Sequence, residues 1–198
     1  MNFRILIPRF VAVISLICGL SQTALALELA DVKVDETANV ASQELKLNGA
    51  GIRTKVFFKV YVAGLYVAEK KTTASEILAL AGAKRVKLSL LREVGSEQFN
   101  QSFTEGINSN STTEEKIKIA PQLAKFNEVF GKVPTLNKGD VITLDWIPAS
   151  GTLVQLNGKP IADAFPDVAF YNALLKIWLG EKPVDGALKK KLLNEKAE

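Results

Sequence analysis

Histidine is absent from all 198 residues, and cysteine occurs once, as Cys18. Without histidine there is no Ser-His-Asp or Cys-His nucleophilic site, no imidazole zinc site and no histidine-ligated haem. Cys18 lies in an N-terminal apolar stretch that reads as a removable leader. The mature chain is then expected to have no disulfide, which a domain of this size does not need. No Walker, Rossmann or EF-hand pattern occurs, nor any internal repeat or low-complexity tract. No resident metal or cofactor is expected. A strong charge of one sign is missing too: Lys and Arg total 25 against 21 Asp and Glu, and removing Arg4 and Arg9 with the leader leaves 23 − 21 = +2. No Lys/Arg cluster is interleaved with aromatics, so nucleic acid is not an expected partner.

The longest apolar run, Phe10 to Leu20, is too short to serve comfortably as a permanent membrane span. It follows a segment carrying Arg4 and Arg9 and no acid, and precedes Ala24 and Ala26 in the small-x-small spacing of a cleavage site. Residues 1–26 are therefore expected to be a signal peptide and 27–198 one exported, periplasmic domain with no membrane span once the leader is gone. Ile17 stands before Cys18, where a lipoprotein signal has a small residue, which argues against lipidation. Hydrophobic residues at 47% and charged residues at 23% suit a folded domain rather than a disordered chain.

Periodicity then gives an order of elements. Weak alternation from Glu28 to Asp35 and from Glu44 to Leu47 suggests strands. Asn48-Gly49-Ala50-Gly51 reads as a turn of small residues. Ile52 to Val67, dense in Val, Phe and Tyr, is the longest strand signal. A helix is expected over Thr73 to Ala83 and a strand over Arg85 to Leu91. Phe99, Phe103 and Ile107 recur at i, i+4 and i+8 on a helix over Ser96 to Asn110. The next helix is expected over Ile119 to Phe130, with Ile119, Leu123, Phe126 and Phe130 on one face. Strands over Asp140 to Ile147 and Thr152 to Leu156 lead to an Asn157-Gly158 hairpin with Lys159 to Ala162 pairing back. Helices over Pro166 to Leu179 and Ala187 to Leu193 close the chain. This is an α+β order: a large, mostly antiparallel β-sheet packed against a layer of helices.

Read as one extended segment, Arg53 to Tyr66 has two faces. The even positions Val56, Phe58, Val60, Val62 and Tyr66 are expected on the main core. The odd positions mix the cations Arg53, Lys55 and Lys59 with Phe57 and Tyr61. That odd face is either solvated, with long stems covering the sheet, or one wall of a cleft. In a cleft, the Arg53 guanidinium and the Tyr61 hydroxyl suit a carboxylate or enolate oxygen. Likewise, Phe103 and Ile107 are either core or pocket wall, and Asn110 either a helix-end residue or a site residue.

The segments Leu47-Asn48-Gly49-Ala50-Gly51-Ile52-Arg53 and Phe57-Phe58-Lys59-Val60-Tyr61-Val62-Ala63-Gly64-Leu65-Tyr66-Val67 resemble the signature hairpin of the chalcone isomerase-like family. Phe103-Thr104-Glu105-Gly106-Ile107-Asn108-Ser109-Asn110 is similar to its central helix, and Leu175 to Asp185 with Leu188-Lys189 to its closing helix. The resemblance implies a ligand cleft between sheet and helices. It assigns Arg53 to the arginine that guides substrate in the plant enzyme. It places Tyr61 where the enzyme has a threonine, and Phe103 where the enzyme has a catalytic tyrosine, while Asn110 matches an asparagine of the site. Fatty-acid-binding members hold the lipid carboxylate with an arginine and a tyrosine, the pattern that Arg53 and Tyr61 fit. Losing one donor typically costs an enzyme about 10²–10³-fold, so Phe103 points away from catalysis. The expected function is a non-catalytic binder of a fatty acid or similar small amphipathic acid, held by Arg53, Tyr61, Phe103, Ile107 and Asn110. The alternatives are an intramolecular lyase of the chalcone isomerase type and a structural or partner-binding envelope protein.

Overall fold

A computed structural model describes residues 27–195; the expected leader lies outside the described residues. The strands are β1 (Leu27–Leu29), β2 (Val32–Val34), β3 (Thr37–Val40), β4 (Gln43–Lys55) and β5 (Phe58–Val67). After helix α1 (Ala74–Ala79) and strand β6 (Lys84–Leu90) come α2 (Ser96–Asn110) and α3 (Thr113–Gly131). Strands β7 (Val141–Ile147), β8 (Gly151–Leu156) and β9 (Lys159–Pro160) precede α4 (Val168–Leu179) and α5 (Gly186–Leu192). β3 to β9 form one antiparallel sheet in unbroken chain order, curled into a half-barrel, and β1 and β2 pair separately. The α+β expectation holds.

Two readings of the long strand segment are corrected. The chain does not run extended from Ile52 to Val67: β4 ends at Lys55, turns through Val56 and Phe57, and returns as β5. The small residues from Asn48 to Gly51 are no turn but the middle of β4. Asn48 is a bulge there, since Leu47 pairs with Tyr66 and Gly49 with Leu65. Its amide accepts from Lys71 N (2.7 Å) and donates to the carbonyls of Lys71 (2.9 Å) and Leu192 (2.7 Å). Gly49 is required by packing, because a Cβ there would collide with the carbonyl oxygens of Lys191 and Leu192 in the last turn of α5.

The face assignment is also reversed. The odd residues Tyr61, Ala63, Leu65 and Val67 enter the large core beneath the helices. The even residues Val62 and Tyr66 pack in a smaller core with Val34, Val40 and Leu45. Both sheet faces are covered here, so parity alone does not tell the larger core from the smaller one. The helix layer is anchored by Phe99, Phe103, Phe126 and Phe130, whose neighbouring rings lie 4.4–6.4 Å apart. Such pairs add about 0.5–1.5 kcal/mol each beyond area burial. The helix expected to begin at Ile119 starts a turn and a half earlier. Thr112 accepts from Glu115 N (3.2 Å) and the Glu115 carboxylate accepts from Thr112 N (3.0 Å), a reciprocal cap.

Lys84 is a fully buried cation. Its ammonium donates to the carbonyls of Leu80 (2.7 Å), Ile77 (3.3 Å) and Leu78 (3.3 Å), closing the C-terminus of α1. Desolvation pulls its pKa from 10.5 down to about 8. Between those values the unfolded chain holds a proton that the folded one has released, so stability rises with pH. The three carbonyls favour the charged form and temper the effect to about 1 kcal/mol between pH 8 and 9.5. Urea titrations of the wild type should show this gain and those of Lys84→Met should lack it; equal slopes in the two would refute the assignment.

Candidate functional site

Arg53 and Tyr61 meet because the chain folds back, not because they share a parity. They are register partners across β4 and β5, and directly opposed residues of an antiparallel pair project to the same face. Val60 is the extra residue of a second bulge, since Arg53 pairs with Tyr61 and Thr54 with Lys59. The bulge lies where the hairpin arm leaves the sheet. Asp185, the N-cap of α5, accepts from Thr54 N (3.1 Å) and from Leu188 N (3.0 Å), tying the arm to the C-terminal helix.

Under this arm lies a cavity of about 270 Å³. Arg53, Val60 and Tyr61 line it from the sheet, and Phe99, Ser102 and Phe103 from α2. Ile177 of α4 and Val184 of the α4–α5 loop close its far side. Lys55, Val56, Phe58 and Arg92 also line it. Three cations, Arg53, Lys55 and Arg92, face one lining carboxylate, Glu93, so the cavity favours an anion at its polar end and hydrocarbon along its walls.

The Tyr61 hydroxyl is the polar group set deepest. It accepts a hydrogen bond from Trp178 Nε1 at 2.9 Å, and its own proton has no acceptor among the described residues. Burial pushes its pKa up to about 12, against the opposing pull of the Arg53 guanidinium and the Trp178 hydrogen bond. It therefore stays a neutral donor through the ordinary pH range, with one lone pair occupied and the O–H unspent. Arg53 is half-buried and has no carboxylate at ion-pair distance among the described residues. A guanidinium and a phenol with free donors on one face have the chemistry to hold the two oxygens of a carboxylate or the single oxygen of an enolate.

The five residues singled out by sequence do not all converge. Phe103 joins Arg53 and Tyr61 at the cavity, its ring edge-on to Trp178 at a centroid distance of 5.6 Å. Ile107 is fully buried in the large core and does not line the cavity. Asn110 lies outside the lining too. Its amide donates to the carbonyls of Gly106 (2.9 Å) and Lys182 (2.8 Å) and accepts from Lys182 N (2.8 Å). Asn110 thereby fixes the loop that carries Val184, one step removed from the cavity. Sequence reading missed Trp178, Ser102 and Arg92. Trp178 stands in the closing-helix segment, but nothing in spacing shows that its N–H meets a tyrosine. Ser102 sits three positions after Phe99, and helical period alone could have placed it near the same wall. Among the described residues no three His, Cys, Asp or Glu side chains cluster as a metal site.

The fold is shared with a solved fatty-acid-binding protein of Arabidopsis thaliana, at a TM-score of 0.62 and 15% sequence identity, over 83% of this chain and 93% of that one. No protein with a curated description is significantly similar in sequence. The family model described as chalcone isomerase-like matches residues 26–194. The match spans the whole sheet, all five described helices and both walls of the cavity, and on that ground the chain belongs to the chalcone isomerase-like family.

Proposed function

We propose that this protein is an exported, non-catalytic binder of a medium-chain fatty acid or similar amphipathic carboxylate. The observation that carries this reading is the pair of uncommitted donors, Arg53 and the Tyr61 hydroxyl, on one wall of an otherwise apolar cavity. The acid's carboxylate sits against Arg53 and Tyr61, and its tail runs along Phe99, Phe103 and Ile177. A structurally similar plant protein is a fatty-acid-binding protein, which supports the same ligand class. The volume of about 270 Å³ lies at the small end of ligand pockets, which run from about 300 Å³ upward, and this favours a medium over a long chain. Export through the N-terminal leader is part of the proposal, and N-terminal sequencing of protein from the cell envelope should begin at Leu27.

Calorimetry with a series of saturated acids provides the test. Each buried methylene should tighten binding by about 0.8 kcal/mol until the cavity is full, after which longer tails gain nothing. Arg53→Ala removes a charge-assisted contact of about 1.5–3 kcal/mol, so affinity should fall roughly ten- to a hundredfold across the series. Absence of heat with every acid, or an unchanged affinity in Arg53→Ala, would overturn the reading. A lyase acting on a chalcone-type substrate is the alternative, since the same donors suit an enolate; turnover lost on Arg53→Ala would favour it.

A further inference from the structure

The β4–β5 hairpin ends in an apolar tip that the other described residues leave uncovered. Val56 is 77% exposed, Phe57 90% and Phe58 61%. Three consecutive exposed apolar residues on a protruding turn are unusual for a monomer surface. The turn is also strained: Val56 has φ +58°, a conformation that suits glycine or asparagine and costs a β-branched residue about 1–3 kcal/mol. A two-residue hairpin turn with positive φ at its first residue is ordinarily built with glycine there, so folding alone does not account for this pair. Cations surround the tip. Lys55 and Lys59 flank it in sequence, both exposed, and the Arg92 guanidinium lies 4.9 Å from the centre of the Phe58 ring. Glu93 is the carboxylate beside Arg92, so the balance around the tip is positive.

From this geometry we infer that the Val56-Phe57-Phe58 tip inserts into the interface of an anionic lipid bilayer, with Lys55, Lys59 and Arg92 against the headgroups. Aromatic and aliphatic side chains sit at the headgroup–acyl boundary, and basic residues beside them gain from the negative surface potential. A convex tip three residues long presents too little apolar area for a standard protein interface but enough to anchor in lipid. Val56, Phe58 and Arg92 also line the cavity, so insertion sets the chamber against the membrane. This inference extends the acid-binding reading by giving the acid a route of entry, and its test does not depend on that reading.

The test is flotation of the purified protein with phosphatidylcholine vesicles, pure or containing roughly a third phosphatidylglycerol. The wild type should float with the anionic vesicles, weakly with the neutral ones, and less as salt rises. Phe57 does not line the cavity, and Phe57→Ser should lower the partition roughly tenfold or more while leaving acid affinity measured in solution unchanged. Each of Lys55→Gln and Lys59→Gln should lower it about fivefold. Val56→Gly with Phe57→Asn installs a favourable turn, since only the first of the two has positive φ, so loss of flotation with an unchanged or higher Tm separates lost insertion from misfolding. Phe57→Trp should blue-shift its emission on adding anionic vesicles. Any retained leader is the same in all variants, so it cannot produce these differences. Wild-type protein that stays at the bottom of the gradient, or equal flotation of Phe57→Ser, would overturn the inference; in the first case, tip-dependent self-association would assign the tip to a second copy instead. Flotation without acid binding would leave this inference standing and remove the acid-binding reading.

Discussion

Ser102→Trp should abolish acid uptake while the protein stays folded. Ser102 sits on the α2 wall of the cavity, half-buried, and its hydroxyl donates only to the Gln98 carbonyl of its own helix, at 2.9 Å. No other element depends on it. An indole in its place enters the space where the ligand tail runs, and the walls it meets, Phe99 and Phe103, are held in the stacked ring cluster and cannot retreat. Displacing several buried methylenes at about 0.8 kcal/mol each gives an expected loss of about a hundredfold or more in affinity. The cavity of about 270 Å³ has room for the indole without displacing its walls, so the Tm should move by no more than about 3 °C, or roughly 1 kcal/mol. Calorimetry with decanoic acid beside a thermal melt checks both. An unchanged affinity would place the acid outside this cavity, whatever Arg53→Ala does.

Asp145→Ala should destabilise the sheet by about 3 kcal/mol. Asp145 and Arg85 are register partners on β7 and β6. The guanidinium donates through Nε to Oδ1 and through Nη2 to Oδ2, both at 2.6 Å, in a bidentate fork. Asp145 is 3% exposed, and its carboxylate raises the Arg85 pKa further. Removing one partner of a buried pair costs about 3–5 kcal/mol, because the other charge is left unpaired. Arg85 retains some access to water, its side chain being 18% exposed, which sets the expectation at the lower end. The Tm should drop by about 6–12 °C. Replacing both residues together, as Arg85→Met with Asp145→Leu, should recover most of the loss, since apolar substitutes need no counter-charge. A loss below about 1 kcal/mol in the single variant, or no recovery in the double, would refute the account.

Helical spacing made the α-layer legible. Phe99, Phe103 and Ile107 recur at a period only a helix can bury on one face, and all three are buried. The Asn157-Gly158 pair likewise marked the β8–β9 turn, where both residues adopt positive φ. The hairpin at Val56-Phe57 was illegible for the opposite reason. A β-branched residue and an aromatic carry a strand signal, and nothing local announces that Val56 takes a left-handed conformation. The small residues from Asn48 to Gly51 misled because glycine marks turns more often than close backbone approach. Here the reason for Gly49 is α5, which lies more than a hundred positions further along the chain. Arg53 and Tyr61 were paired by parity and by family resemblance. The parity was the wrong reason, since they lie opposite each other on two adjacent strands. Whether Ile107 or Asn110 reaches a cavity depends on how α2 is rotated and on the α4–α5 loop, which no periodicity fixes.

The sheet keeps its strands in the order of the chain, each hydrogen-bonded to the next. Short turns join β3 to β4, β4 to β5, β7 to β8 and β8 to β9, so those pairs cost little loop-closure entropy, whereas β6 meets β7 only across α2 and α3. The Asn48 to Leu192 bond spans 144 positions and cannot form until almost the whole polypeptide is present. Trp178, whose N–H holds the Tyr61 hydroxyl across 117 positions, arrives almost as late. A chain delivered from its N-terminus therefore has every strand of its sheet before the residues that close the far side of the cavity, Ile177 and Val184, have arrived.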